Sequence, residues 1–152
     1  MGASGNCRPR IIVLVGLPGS GKTTYLAKVG ALALSSDRIR EILADDAEDQ
    51  TIHARVFATL RYLLGQRLIL RRPVTYIDAT NLTKRERQPY LRIGEHYDCA
   101  VEAIFFDVPV EVCLERNRRR PRVVPDDAVR KMAAKLEPPA AAEGFAQITV
   151  VH

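Results

Sequence analysis

The sequence contains no tryptophan, and aromatic residues make up only 6% of its 152 residues. Aromatic rings are the surfaces on which many proteins stack single-stranded bases, so this composition gives little support to a stacking groove. Cysteine is scarce as well, and the three that occur, Cys7, Cys99 and Cys113, form no C-x-x-C pair. Scattered cysteines in odd number favour idle thiols in a reducing compartment over metal or redox chemistry.

Long apolar runs are also missing from this chain. No stretch reaches the roughly 18 residues that a membrane span requires, and residues 1–10 lack the apolar centre of a signal peptide. We therefore expect no membrane association and a cytoplasmic location. Residues 1–152 are expected to form a single domain, because 47% apolar residues suffice for one core. The net charge of +5 suits an anionic partner, although nucleic acid, nucleotide and mere solubility all fit that value.

The most specific motif is GLPGSGKT at residues 16–23, which fits G-x-x-x-x-G-K-[ST] and follows an apolar run at residues 11–15. Its glycines permit a tight turn whose N–H groups surround phosphates, and the N-terminus of the next helix favours negative charge. Lys22 is expected to reach the β- and γ-phosphates of ATP or another nucleoside triphosphate, and Thr23 to bind Mg²⁺. The predicted nucleotide-binding residues of this loop are Gly16, Pro18, Gly19, Ser20, Gly21, Lys22, Thr23 and Thr24.

Strand-like and helix-like segments alternate along the chain, a pattern typical of an α/β fold with a parallel sheet. Together with the motif, it predicts a P-loop NTPase fold of about five strands, with helices on both faces and an arginine-rich lid. The predicted strands are residues 11–15, 31–34, 73–77, 100–106 and 148–151, the last at an edge of the sheet. The predicted helices are residues 23–29, 38–44, 51–70, 84–97 and 110–118, and one that Asp126 caps and that ends near residue 136.

Aspartates follow three of the predicted strands, at Asp37, Asp78 and Asp107. Ligands of open parallel sheets bind beyond the carboxyl ends of the strands, so these side chains are candidates for chemistry. Asp37 is placed to accept a proton from an incoming hydroxyl, and Asp78 to hold a Mg²⁺-bound water or to orient an arginine. Asp107 is more simply interpreted as a helix cap, and a cap role is also open for Asp37.

The basic run RNRRRPR at residues 116–122 is the second distinctive feature. A solvated surface is the ordinary explanation of such a run. The run follows the fourth predicted strand and the helix after that strand. This position favours a mobile lid instead, because phosphoryl transfer gains from arginines that bind phosphate oxygens. We therefore predict that at least one of these arginines closes over the triphosphate.

The order and spacing of the phosphate loop and five further elements resemble the kinase domain of 5′-OH polynucleotide kinases. The further elements are SSDRIR at 35–40, DATN at 78–81, FDVP at 106–109, RNRRR at 116–120 and VP at 124–125. The resemblance implies transfer of the γ-phosphate of ATP to 5′-OH ends of RNA or DNA. Two members of this family carry a phosphatase module in the same polypeptide, and one of them also carries a ligase; we expect neither module in this chain. We therefore expect end healing to require separate phosphatase and ligase proteins.

The resemblance also implies roles for individual residues. The catalytic residues that it implies are Lys22, Asp37, Arg40 and Arg120. Asp37 would be the general base on the 5′-OH, and Arg40 would contact the 3′-phosphate of the acceptor with Asp78 as its orienting partner. Asn81 would also contact the substrate, and Arg116 and Arg120 of the lid would bind the donor phosphates. Because Asp37 and Lys22 are expected on surface loops, replacing either by alanine should abolish transfer and leave the fold intact.

Two other functions stay open. One is a kinase for a small molecule such as a nucleoside, a sugar or an antibiotic, which would be indifferent to strand length. The other is a nonenzymatic module in which ATP binding toggles a partner protein. The set of Asp37, Arg40 and Asp78 beside an arginine lid favours chemistry over a switch. The choice between RNA and DNA and the oligomeric state are left open.

Overall fold

A five-stranded sheet, parallel throughout, organises the protein, which the computed structural model describes over residues 8–152. The strands are β1 (Arg10–Val15), β2 (Leu34–Ser35), β3 (Val74–Asp78), β4 (Ala100–Phe106) and β5 (Gln147–Val151). Their spatial order is β2-β3-β1-β4-β5, which confirms the α/β fold and the edge position of the last strand. Cys7, which we expected to be an idle thiol, lies outside the described residues.

Within residues 8–152, six α-helices connect the strands. They are α1 (Lys22–Val29), α2 (Ser36–Ala44), α3 (His53–Ile69), α4 (Lys84–His96), α5 (Val110–Arg118) and α6 (Asp126–Lys135). Short 3₁₀ turns at Gln50–Ile52 and Ala141–Glu143 precede α3 and β5. Parallel neighbours require such crossover connections, and the helices cover the apolar faces of the sheet.

The central strand β1 is buried on both faces, as its unbroken apolar run predicts. Ile11 and Val13 pack in a cluster with the apolar side chains of α3 and α4, whereas Ile12 and Leu14 pack with Leu26 of α1. Successive side chains of a strand point to opposite faces, so this division places helices on both sides of the sheet, as predicted.

A buried ion pair fixes the loop that follows β3. The Arg87 side chain of α4 is fully buried, and its Nε and Nη2 donate to the two carboxylate oxygens of Glu143 at 3.0 and 2.9 Å. Its Nη1 donates to the carbonyl oxygens of Asn81 and Leu82 at 2.9 and 3.1 Å. Arg87 therefore anchors the backbone that leaves the functional edge of the sheet.

The second strand is shorter than predicted and lies later in the chain. Gly30 ends α1 in the left-handed conformation, and residues 31–33 are used in the connection to the sheet, where Leu32 is 95% exposed. Only Leu34–Ser35 pairs with β3, opposite Ile77 and Asp78. The prediction of a strand at residues 31–34 was therefore wrong by its first three residues.

The caps predicted at Asp107 and Asp126 were also wrong, and the cap role left open for Asp37 is not observed. Ser35 caps α2, since its hydroxyl accepts the N–H of Arg38, and Asp37 lies inside the first turn of that helix. The residues before α5 and α6 are Pro109 and Pro125, so neither Asp107 nor Asp126 caps a helix. Asp126 occupies the first turn of α6, where a carboxylate is also favourable.

Candidate active site

The phosphate loop follows β1 and is tied to the neighbouring strand. The N–H of Gly16 donates to the carbonyl oxygen of Thr80 at 3.0 Å. Gly19 has φ +83°, and a Cβ there would lie 2.5 Å from the carbonyl oxygen of Cys113 in α5. Gly21, the residue that precedes α1, has φ +107°. Glycine is required at both positions because a side chain would be strained and, at Gly19, would collide with α5.

Lys22 is the first residue of α1, and its ammonium group folds back onto the phosphate loop. Its Nζ donates to the carbonyl oxygens of Gly16 and Leu17 at 2.7 and 2.8 Å. Burial lowers the pKa of Lys22 to about 8, and the nearby carboxylate of Asp78 offsets this only in part. An anion bound at the loop would therefore raise the pKa of this lysine and favour its charged form.

The rest of the loop is also suited to an anion. The hydroxyl of Ser20 is buried and, among residues 8–152, has no hydrogen-bond partner. No acidic residue occupies the first turn of α1, where Thr23 and Thr24 are exposed. A phosphate group would supply the missing partner of Ser20 and interact favourably with the helix N-terminus.

Asp78 ends β3 beside the loop. Burial raises the pKa of its carboxyl group, and the charge of Lys22 acts against that rise. The charges of Asp37 and Arg120 also act on Asp78, so the structure brings four of the predicted site residues within electrostatic range of one another. They come from the starts of α1 and α2, the end of β3 and the basic run at residues 116–122.

Asp37 is held by two arginines. The Nη1 of Arg40 donates to its Oδ1 at 3.2 Å, and the Nη1 of Arg122 donates to its Oδ2 at 3.0 Å. The partner of Arg40 is therefore Asp37 and not Asp78, which corrects the expected pairing. Arg40 is only 4% exposed, so an alanine at position 37 would leave a buried guanidinium without its counter-charge. We expected such a variant to keep its fold because we placed Asp37 on a surface loop. Asp37 lies in α2 instead, so that reason does not hold.

The basic run forms the end of α5 and the turn that leads to α6. Asn117 is fully buried, and its side chain donates to the carbonyl oxygen of Val124 and accepts the N–H of the same residue. This pair of bonds closes residues 117–124 into a loop, which we call the lid. The sequence predicted its place, and Asn117 is a residue that the prediction of site residues missed.

The arginines of this region differ in their partners. Arg118 and Arg119 are exposed and form ion pairs with Asp126 and Glu115. The Nη1 of Arg116 lies 3.8 Å from the position that a Cβ on Gly21 would take. In the described part of the chain, no hydrogen bond or ion pair occupies the guanidinium of Arg120. Arg116 thus lies beside the phosphate loop, and the roles predicted for Arg116 and Arg120 at the donor phosphates stay predictions.

Arg122 is the functional candidate that sequence reasoning missed. It lies two residues beyond the R-N-x-x-R element, and it was predicted only as a member of the basic run. Its contact with Asp37 joins positions 85 residues apart, for which the sequence carries no local signal.

Asn81, which we predicted to contact the substrate, is a buried residue. It has φ +49°, it is 3% exposed, and its Nδ2 donates to the carbonyl oxygen of Leu14 at 2.7 Å. The amide therefore fastens the loop after β3 to the end of β1. Its contact with a substrate stays a prediction.

The donor set fits Mg²⁺ that is bound together with phosphate groups. Over residues 8–152, no group of three or more His, Cys, Asp or Glu side chains is arranged to hold a metal ion. Mg²⁺ bound with a nucleotide needs only one or two protein oxygens, because phosphates and water supply the rest. The exposed hydroxyl of Thr23 and the Asp78 carboxylate offer those oxygens.

Among the helices of residues 8–152, none has the length and the apolar character that a membrane-spanning helix requires.

A family model named AAA_33 and described as an AAA domain matches residues 11–139, which include the phosphate loop, Asp37, Asp78 and the lid. The chain belongs to this family. Its sequence and fold are those of a P-loop kinase domain, and its resemblance to the kinase domain of polynucleotide kinases is confirmed at the level of family and fold.

Two curated relatives are L-seryl-tRNA(Sec) kinases. The protein of Methanococcus maripaludis is 25% identical over 138 residues, which cover 85% of this chain and 53% of the relative. The human protein is 28% identical over 92 residues, which cover 60% of this chain and 26% of the relative. The chain thus spans about half or less of the length of these relatives.

Solved structures give the same fold. A chain of the Pnkp1/Rnl/Hen1 RNA repair complex is 26% identical with a TM-score of 0.72, over 85% of this chain and 44% of that chain. A putative kinase from Chloroflexus aurantiacus is 16% identical with a TM-score of 0.71, over 96% and 86% of the two chains. A gluconokinase from Sinorhizobium meliloti is 21% identical with a TM-score of 0.60, over 94% and 82%. The last two likenesses concern the fold alone.

Proposed function

We propose that this kinase transfers the γ-phosphate of ATP to the 5′-hydroxyl end of RNA or DNA. One arrangement carries the proposal. The Asp37 carboxylate lies at the edge of the sheet that also carries the phosphate loop, and Arg40 of α2 and Arg122 of the lid hold it there. A carboxylate at that point can take the proton of an acceptor hydroxyl next to the donor phosphates.

The likeness to the RNA repair complex and the net charge of +5 support a polynucleotide as the acceptor. Membership of the family does not specify the acceptor, because a gluconokinase also has a related fold. We further propose that separate phosphatase and ligase proteins complete the healing of the ends.

In the proposed reaction, the acceptor oxygen forms a bond to the γ-phosphorus while the bond to the bridging oxygen of ADP breaks. The hydroxyl proton passes to Asp37. Lys22 exchanges its carbonyl partners in the loop for the donor phosphates, and Arg116 and Arg120 neutralise charge that develops on them. Bound Mg²⁺ would supply further neutralisation of that charge, held by Thr23 and, directly or through water, by Asp78.

The test is transfer of labelled γ-phosphate to matched 5′-OH RNA and DNA oligonucleotides, with nucleosides, sugars and seryl-tRNA assayed in parallel. Asp37→Asn removes the base but keeps an oxygen that accepts from Arg40. It should lower transfer about a hundredfold or more and leave the Kd of ATP unchanged. Asp45→Asn is the matched control, since it removes one carboxylate from the other end of α2, in a left-handed position that asparagine tolerates.

Label on oligonucleotides in the wild type, lost in Asp37→Asn and kept in Asp45→Asn, would support the proposal. Label on none of the oligonucleotides would refute the polynucleotide acceptor. Near wild-type transfer by Asp37→Asn would refute the role of Asp37 as base.

A second candidate acceptor is the seryl hydroxyl of an aminoacylated tRNA. It is favoured by the likeness to the kinase of Methanococcus maripaludis, which extends over 85% of this chain. The acceptor panel distinguishes the two candidates, because the label would then appear on seryl-tRNA and not on 5′-OH oligonucleotides.

A further inference from the structure

Helix α3 is apolar on two sides. Its inner side packs in the core through four residues, Val56, Leu60, Leu64 and Leu68. A second set lies on the solvent side and consists of Tyr62, Leu63, Ile69 and, directly after the helix, Leu70. We call this set the α3 stripe. Tyr62, Ile69 and Leu70 are 66%, 59% and 71% exposed. Single exposed apolar residues are ordinary, but a contiguous set indicates a contact surface.

The α3 stripe is arranged symmetrically around Gln66, which is also exposed. Leu63 and Ile69 lie three residues before and after Gln66, and Tyr62 and Leu70 lie four residues before and after it. Leu70 keeps helical backbone angles, so it continues the pattern. Residues three and four apart are neighbours on a helix surface, and the four apolar side chains therefore surround the Gln66 amide. The pattern is the same in both directions along the helix.

The α3 stripe carries no charge. Helix α3 contains no acidic residue, and its arginines at the level of the stripe face other elements. Arg67 donates to the hydroxyl of Thr75 and to the carbonyl oxygen of Val74 in β3, at 2.8 and 2.9 Å. Burial raises the pKa of Tyr90 in α4, and the charge of Arg61 acts against that rise, which places Arg61 on the side towards α4. Two copies of the chain can therefore meet along the stripe without opposing like charges.

Gln66 favours a second copy of this chain over an unlike partner. A polar side chain at the centre of an apolar contact loses water when it is covered, so it needs a hydrogen-bond partner there. An amide both donates and accepts, so two Gln66 side chains related by a two-fold axis can satisfy each other. Antiparallel copies then place Tyr62 against Leu70 of the other copy. The start of each helix lies beside the end of the other, as the helix dipoles favour.

The α3 stripe is remote from the candidate active site. Beyond Leu70 the chain turns into the amino end of β3, where the carbonyl oxygen of Pro73 accepts the N–H of Arg10 at the start of β1. The phosphate loop lies at the opposite edge of the sheet, after the carboxyl end of β1. A contact along the stripe would therefore leave the sites of both copies accessible.

We propose that the α3 stripe is the interface of a homodimer, in which two α3 helices pack antiparallel about a two-fold axis at Gln66. The inference is independent of the proposed acceptor, because no residue of the stripe belongs to the candidate active site. Tyr62 to Leu70 span only about 12 Å of helix, so the buried area is smaller than the roughly 800 Å² per partner of a standard interface. We therefore expect a reversible dimer with a Kd on the order of tens of micromolar.

The axis can be tested by exchanging charges at Gln66. Sedimentation equilibrium of the full chain, at about 5–500 µM, would measure the Kd of the dimer. Gln66→Glu and Gln66→Lys should each weaken association at least about tenfold, because two like charges then meet at the axis. An equal mixture of the two variants should associate about as tightly as the wild type, since each axis then joins a carboxylate to an ammonium.

Gln88→Glu is the matched control. It introduces the same charge at an exposed glutamine of α4, outside the α3 stripe, and should associate as the wild type does. Ile69→Lys tests the apolar contact and should also weaken association about tenfold or more, because a charge would be buried in the interface. A lysine in the last turn of a helix is favourable, so this variant should keep its fold. Thermal unfolding of each variant would verify this.

A wild type that stays monomeric throughout this range would overturn the inference, and so would a dimer that Gln66→Glu leaves unchanged. Weakening by both charged variants without recovery in their mixture would refute the two-fold axis, since Gln66 would then face a different surface. The transfer assay separates this inference from the proposed function. If no oligonucleotide is phosphorylated but the mixture recovers, the dimer stands. If transfer occurs and the wild type is monomeric, the proposed function stands.

Discussion

Raising the pH from 7 to 9 should weaken the binding of ATP about tenfold, because Lys22 loses its charge in this interval. Burial at the phosphate loop lowers the pKa of Lys22 from 10.5 to about 8. A lysine with that pKa is about nine-tenths charged at pH 7 and about one-tenth charged at pH 9. Its charge is therefore present in the ligand-free protein below pH 8 and absent above it.

The direction of the effect follows from the charge of the ligand. The phosphates of ATP favour the ammonium form, so the pKa of Lys22 must be higher in the complex than in the free protein. Above pH 8, binding then takes up one proton, and the Kd rises about tenfold for each pH unit until the pKa of the complex is reached. A phosphate monoester completes its ionisation near pH 6, so the ligand itself contributes little in this range.

Titration calorimetry at pH 7, 8 and 9 measures the Kd, and buffers of different ionisation enthalpy measure the proton uptake. Lys22→Arg is the control, because a guanidinium stays charged throughout the range and its ATP affinity should not depend on pH. A wild-type Kd that stayed constant from pH 7 to 9, or an equal slope in Lys22→Arg, would refute the reasoning.

Two further predictions concern the scaffold of the site. Gly19→Ala should lower ATP affinity about tenfold or more, because φ +83° and a carbonyl oxygen 2.5 Å from the new Cβ force the loop to move. Gly30→Ala, also at positive φ but with open space around it, should keep the affinity, as binding assays would show. Glu143→Ala should lower the free energy of unfolding by about 3–5 kcal/mol in urea titrations, since Arg87 would stay buried without a counter-charge.

Each of these predictions has a result that contradicts it. Unchanged ATP affinity in Gly19→Ala would show that α5 does not constrain the loop. For the ion pair, the double variant Arg87→Met/Glu143→Leu should lose less stability than Glu143→Ala, because it leaves no unpaired charge. A larger loss in the double variant would mean that the pair itself stabilises the fold.

The phosphate loop was predictable because its information is local. The octet and the apolar run before it specify a strand, a tight turn and a helix start without reference to the rest of the chain. The position of β2 was less predictable. Serine and aspartate both favour the capping position of a helix. The choice between Ser35 and Asp37 depends on where the pairing of β2 with β3 ends, which is opposite Asp78.

The charged contacts were the least predictable part of the site. The run at residues 116–122 contains five arginines, and nothing local distinguishes the one that meets Asp37 from those that pair with neighbouring carboxylates. That difference arises from the closure of the lid by Asn117, which turns Arg122 back towards α2. Long-range pairing of this kind is a property of the assembled fold.

Helix α5 joins the phosphate loop to the lid, so a displacement at either end would act on one rigid element. Gly19 packs against the backbone of Cys113 and Asn117 in this helix, and the Asn117 side chain holds the far end of the lid at Val124. A shift of the loop on nucleotide binding would therefore reach Arg122, and through it Asp37, along contacts that are packed and hydrogen-bonded. Coupling of this kind is reciprocal, so a ligand that engages the lid would change the affinity for ATP by the same factor by which ATP changes the affinity for that ligand.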